Sequence, residues 1–294
     1  KSFKGARVFN TLLDETMILG LAQGFSNMGM LPMPEIQYLA YFHNACDQIR
    51  GEACSLQFFS NGQFRNPMVM RIASLGYQRG FGGHFHNDNS ITALRDIPSL
   101  VVGCPSRGDD AATMLRSMMA LAKVDGRVCA YLEPIALYMT KDLYEAGDGQ
   151  WLTQYPSPEE SMEIGSARVY NETAKDLVIF SFGNGVPMSL RAAREIEKNH
   201  GWNVRVVDLR WLQPLNTAEI AKHAAECSRI MVVDEGRRSA GVGEGIITAV
   251  VESGHGAKPL RRVVGQDTYT PLAGAAFLVI PSEADIVVMA GELA

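Results

Sequence analysis

The sequence predicts an α/β protein built from two doubly wound, mainly parallel-sheet domains. Short apolar runs of strand length alternate with amphipathic segments of helix length along the whole chain. That order calls for parallel strands joined by crossover helices. A Pro-rich break, Tyr155-Pro156-Ser157-Pro158, divides the pattern in two. The length, 294 residues, is enough for two cores of ordinary size.

Taken in order, Arg7–Phe9 reads as a short strand, and the run from Arg7 to Glu15 opens a helix rich in small residues, Gly20-Leu21-Ala22-Gln23-Gly24. Met33–Tyr38 reads as a strand and Tyr41–Cys54 as a helix, with Asp47 and Arg50 on its polar side. The strand Met68–Ile72 leads into a Gly-rich loop from Leu75 to Asn89. Next come the strand Leu100–Gly103, the helix Asp109–Lys123 and the strand Val128–Glu133. Asp142–Gln154 has no clear period and reads as loop. Beyond the break, Leu177–Ser181 is an apolar strand ended by Phe182-Gly183-Asn184-Gly185. Helix Val186–Asn199, strand Val204–Asp208, helix Thr217–Cys227, strand Ile230–Asp234, helix Gly243–Ser253, strand Leu260–Val264 and a closing helix Ser282–Leu293 complete the chain. The domains are therefore expected at 1–155 and 171–294, with residues 156–170 as linker.

Composition narrows the function classes. An apolar fraction of 47% with 20% charged residues is that of a globular protein. The net charge of −5 makes nucleic acid and anionic membrane surfaces poor partners. No apolar stretch reads as long enough to cross a bilayer, and Lys1-Ser2-Phe3-Lys4-Gly5 does not read as a signal peptide. The five cysteines are odd in number and lack a Cys-x-x-Cys pair, which favours buried reduced thiols of a cytoplasmic protein.

Three groups could carry chemistry. Glu15 stands at a helix start with an apolar wall behind it and no cation nearby in sequence. Such an acid can trade a proton with a nitrogen base, or simply complement the positive helix end. Tyr41, at a strand–helix junction, is suited to stack on a flat heteroaromatic ring or to pack in a core. His84 and His86 alternate in the Gly-rich loop Gly80–Ser90, a pattern suited to proton transfer or to binding a carboxylate. A metal reading of His84, His86 and Asp88 is weaker, because ligands on a flexible loop lack a fixed supporting shell. Gly147-Asp148-Gly149 reads as a turn rather than a metal loop.

These residues fall into an ordered set of motifs. Arg7-Val8-Phe9-Asn10-Thr11-Leu12-Leu13-Asp14-Glu15 and Leu31-Pro32-Met33-Pro34-Glu35-Ile36-Gln37 come first. His86-Asn87-Asp88 follows, then Leu100-Val101-Val102-Gly103-Cys104-Pro105-Ser106 before Asp110-Ala111-Ala112. Val207–Leu215 and Val233–Gly241 close the set. In this order they resemble the beta subunit of the thiamin-diphosphate-dependent, decarboxylating component of 2-oxo acid dehydrogenase complexes, over nearly the whole chain. The implied fold is a transketolase-like pyrimidine-binding domain followed by a transketolase C-terminal-like domain. One departure is Asn87, where the family has Ser.

The resemblance implies roles. Glu15 would hydrogen-bond a ring nitrogen of the cofactor's aminopyrimidine and promote its imino tautomer. Tyr41, six residues after Glu35, would lie against that ring, and Leu13 would be a further apolar wall. His86 would assist acyl transfer to a lipoyl group. The diphosphate and its magnesium ion would be held by an alpha-type partner chain, in a tetramer of two alpha-type and two beta-type subunits. A lipoyl acyltransferase core would be the second partner, a 2-oxo acid the substrate, and a potassium ion could rest on carbonyls near Val128–Glu133. The location would be cytoplasmic in a bacterium or the mitochondrial matrix in a eukaryote. Family members carry a further helix and strand ahead of Arg7, which makes this chain an expected part of a longer polypeptide, with the missing strand on another fragment. The rivals are another transketolase-like thiamin enzyme and a mainly structural subunit, docking the acyltransferase core through Arg237-Arg238 and Arg261-Arg262.

Overall fold

Asp14 sets the start of the first helix, its carboxylate accepting from the Met17 amide at 3.0 Å. The structure, a computed structural model, describes residues 7–78 and 80–294. Helix α1 (Glu15–Asn27) buries Leu19, Ala22 and Ser26. Strand β1 (Glu35–Ile36) is much shorter than its sequence suggests. Pro32 and Pro34 accept from β2 amides at Val69 and Arg71 but have no N–H to return. The helix expected over Tyr41–Cys54 is wound differently. Leu39–Ala45 is a tight 3₁₀ turn and Gln48–Ala53 a wide π turn. Together they keep Phe42, Ala45, Ile49 and Ala53 in the core. Helix α2 (Leu56–Phe59), β2 (Met68–Ser74), α3 (Ile91–Arg95), β3 (Val101–Gly103), α4 (Gly108–Asp125) and β4 (Val128–Pro134) follow.

Arg7–Phe9 forms no strand: Val8 and Phe9 are 70% and 50% exposed, and the Phe9 ring packs edge-on against Phe25. The edge of the first sheet is β1 instead.

The second half contains β5 (Arg168–Tyr170), β6 (Leu177–Ser181), α5 (Gly185–His200), β7 (Val204–Asp208), β8 (Trp211–Gln213), α6 (Thr217–Glu226), β9 (Arg229–Arg237), α7 (Val242–Glu252), β10 (Leu260–Gly265) and α8 (Glu283–Gly291). The sheet orders are β1-β2-β4-β3-β8 and β10-β9-β6-β7-β5. Both are parallel except at one edge, where β8 runs antiparallel to β3 and β5 antiparallel to β7. Strand β5 begins inside the stretch read as linker. Strand β8 departs further from expectation, because a strand of the second half completes the sheet of the first. Arg210 turns the chain with a positive φ of 59°, its carbonyl accepts from the Cys104 amide at 2.7 Å, and Trp211 is buried.

Residues 273–291 match a membrane span in length and composition, contrary to the sequence reading. In the fold they are two pieces. A 3₁₀ turn, Ala273–Leu278, is separated from α8 by Pro281 and a Ser282–Asp285 capping box, and α8 buries Ile286 and Ala290 against the second core.

Candidate active site

Glu15 is the first residue of α1 and is only 9% exposed. Its Oε2 accepts from Asn44 Nδ2 at 3.0 Å, and the Thr16 hydroxyl donates to the Asn44 carbonyl at 2.9 Å. The first turn of α1 is thereby tied twice to the 3₁₀ turn. Tyr41 lies on that same turn, three residues before Asn44, and is half-buried. Residues three apart in a 3₁₀ helix eclipse one another, so Tyr41 and the anchor of Glu15 share a face.

The Gly-rich loop brings His86 to this face. Its ring meets Tyr38 edge-on at 4.6 Å and Tyr41 at 6.4 Å between centroids. Gly82 is required here, since a Cβ at that position would come within 2.5 Å of His86 Nδ1. His84 points elsewhere, tilted against Phe85 at 4.1 Å and Tyr269 at 5.0 Å, while Asp88 pairs with Arg237 at 3.2 Å. The three residues therefore go to different partners and are not gathered around one point.

Asn44, on the same turn as Tyr41, links Glu15 to the ring cluster of Tyr38, Tyr41 and His86; Tyr38 and Asn44 are residues that sequence reasoning missed. Leu13 does not form a wall within this chain, being 83% exposed on the approach to α1. A buried acid tied to a turn that carries an aromatic ring suits the pyrimidine half of thiamin diphosphate. Gly147-Asp148-Gly149 is a turn that closes on its own carboxylate. The Asp148 carboxylate is filled by the amides of Leu143, Tyr144, Glu145 and Gln150, which hold it well below the usual carboxylate range. Ahead of β4, three carbonyls already accept hydrogen bonds. Val124 O accepts from Arg65 Nη1 at 3.2 Å, Asp125 O from Gln57 Nε2 at 3.5 Å and Arg127 O from the Met68 amide at 3.4 Å.

A second buried acid sits where the two halves meet. Glu235 accepts from the Gly76 amide at 2.7 Å and from Asn184 Nδ2 at 2.8 Å, and its carbonyl accepts from Asn89 Nδ2 at 2.8 Å. Burial pushes its carboxyl up to about 7, against the pull of the two donors. Between the unfolded value of about 4.3 and that folded value, the native group keeps a proton that the unfolded group has lost. Its contribution to stability therefore falls as pH rises through this window. Glu235→Gln stays neutral throughout. Measured by urea unfolding, its stability relative to the unmodified protein is expected to improve by about 2–3 kcal/mol from pH 5 to pH 8; a pH-independent difference would refute the assignment.

Comparisons with known proteins give the family. The family model described as "Transketolase, pyrimidine binding domain" matches residues 1–141, and "Transketolase, C-terminal domain" matches 165–284. The Staphylococcus epidermidis "Pyruvate dehydrogenase E1 component subunit beta" is 32% identical, covering 98% of this chain and 83% of its own. The Staphylococcus aureus protein of the same name is 32% identical, covering 99% and 85%. Among solved structures, a "Split gene transketolase, inactive beta4 tetramer" superposes with a TM-score of 0.72 at 19% identity, over 97% of this chain and 83% of that one, which supports the fold. The chain belongs to the family of beta subunits of the thiamin-diphosphate-dependent, decarboxylating component of 2-oxo acid dehydrogenase complexes.

Proposed function

We propose that this chain supplies the pyrimidine-binding half of a 2-oxo acid decarboxylating site, completed by an alpha-type partner. The observation that carries the reading is the buried Glu15, held by Asn44 from the same turn that carries Tyr41, whose ring meets His86. When bound, thiamin diphosphate supplies the electron sink for loss of carbon dioxide. Glu15 would hold or release a proton at its carboxylate, toward the ring nitrogen of a bound pyrimidine. Tyr41 offers an aromatic ring beside it. His86, steadied by Tyr38, stands ready to move a proton as the acyl group passes to a lipoyl acceptor. Exposed Leu12 and Leu13, ahead of α1, offer the partner an apolar surface to cover.

Pyruvate is the first substrate to test, since the relatives above carry that name, with branched-chain 2-oxo acids as the alternative. The groove between α7, β10 and α8, about 340 Å³, is lined by Arg238, Arg261 and Arg262, and Arg261 and Arg262 pair with Glu292 and Glu244 of this chain. The reduced cysteines suit a cytoplasmic or matrix location. Carbon dioxide release from a panel of 2-oxo acids, with the partner chain present, tests the reading; silence across the panel would reject it. The isolated chain is expected to bind thiamin diphosphate much more weakly than the complex, by at least 100-fold, about 2.7 kcal/mol. Micromolar calorimetric affinity for the chain alone would contradict this.

A further inference from the structure

We propose that Asn44 is a positioning residue that reserves Oε2 of Glu15, so that Oε1 alone exchanges a proton with a bound pyrimidine. The inference rests on the reading of Glu15 above and deepens it. Asn44 Nδ2 donates to Oε2 at 3.0 Å. A hydroxyl oxygen accepts more weakly than a carbonyl or carboxylate oxygen, so a proton on Oε2 would weaken the bond from Asn44. The contact therefore favours the acid form of Glu15 with its proton on Oε1. That oxygen is the one left to face a ligand.

The backbone makes this arrangement firm. Thr16, next to Glu15, donates its hydroxyl to the carbonyl of Asn44 at 2.9 Å. Asn44 is thus joined to α1 by two bonds in opposite directions, one to Glu15 across 29 residues and one from Thr16 across 28. Asn44 itself lies at the exposed rim, whereas the carboxylate it holds is buried. Removing Asn44 therefore deletes a donor without opening the core. The 3₁₀ winding of Leu39–Ala45 places Asn44 on the face that carries Tyr41. One short turn accordingly sets both the orientation of the acid and the ring that a pyrimidine would lie against.

The test uses the full complex with its partner chain and three variants, Asn44→Leu, Asn44→Asp and Glu15→Gln. Asn44→Leu removes the donor at similar volume. Asn44→Asp keeps the shape but sets a carboxylate against a carboxylate, and decides the matter should the leucine variant fail to fold. Both Asn44 variants are expected to lose about tenfold in kcat, the scale of one hydrogen bond to a charged group. KM for the 2-oxo acid should stay within about twofold, because Asn44 orients a proton rather than substrate. The circular-dichroism band that reports the tautomer of bound thiamin diphosphate should weaken in parallel, while calorimetric affinity for the cofactor changes less than kcat. Unchanged kcat and an unchanged tautomer band in a folded Asn44 variant would overturn the inference. Glu15→Gln separates the two levels of argument. If it is inactive while the Asn44 variants are silent, only the positioning role fails; if it turns over normally, the reading of Glu15 fails first.

Discussion

Glu15→Gln is expected to lower 2-oxo acid decarboxylation by about 10²–10⁴-fold, the range of a positioned proton-transfer group. The substitution preserves shape. The Gln oxygen can still accept from Asn44 Nδ2, which then places the Gln amide nitrogen where Oε1 stood. That nitrogen can donate a hydrogen bond but does not release its proton at working pH. The fold should survive, because Glu15 occupies the first position of a helix that Asp14 already caps. Loss of a negative charge in the first turn costs about 0.3–1 kcal/mol. Turnover and thermal unfolding measured on the same preparation check both halves. A variant within threefold of the unmodified rate would remove Glu15 from the chemistry.

Arg210→Met is expected to have the largest effect on stability, about 3–5 kcal/mol, the scale of leaving a buried partner charge unpaired. Arg210 is 8% exposed and donates through Nη1 to Asp110 Oδ1 at 2.7 Å. Its Nε and Nη2 hold the Ser166 carbonyl at 3.1 and 3.0 Å. Asp110 belongs to α4 of the first half, and Arg210 to the turn between β7 and β8 of the second, so this pair clamps the halves together. Arg168 also reaches Asp110, at 2.8 Å, and tempers the loss.

The sign of the pH dependence follows from Asp208 in the same cluster. Burial and the neighbouring Asp110 raise its carboxyl to about 7, with Arg210 opposing them. Removing Arg210 raises it further. From the unfolded value of about 3.9 upward, the native group then keeps a proton the unfolded group has lost, over a wider window. The variant should therefore lose more stability at pH 8 than at pH 5. Urea unfolding at both values tests this; a loss under 1 kcal/mol, equal at the two, would show that the halves do not rely on the clamp.

Legibility in the sequence followed the physics of each element. Leu177–Ser181 and Val204–Asp208 were read to the residue, because continuous apolar runs ended by Gly or Asp mark strands buried on both faces. Strands β5 and β8 escaped, because three residues are too few to show a period. Glu15, Tyr41 and His86 stand out as candidates from motif order. Tyr38 and Asn44 do not, because their contacts depend on a 3₁₀ turn where the spacing predicts an α-helix. Glu235 lay in view within Val233-Asp234-Glu235-Gly236, but nothing local shows that its partners are Gly76 and Asn184.

By itself the sequence determined the fold class and the alternation of strands and helices, and it named an acid, a ring and a histidine as site candidates, since these follow from local periodicity and ordered motifs. Tertiary structure alone decided that Trp211–Gln213 closes the first sheet, that Asn44 holds one oxygen of Glu15, and that Arg210 meets Asp110. The physical reason is range. Periodicity is a property of neighbours along the chain, whereas hydrogen bonds and buried ion pairs join groups 29 and 100 residues apart, and only packing brings those within 3 Å.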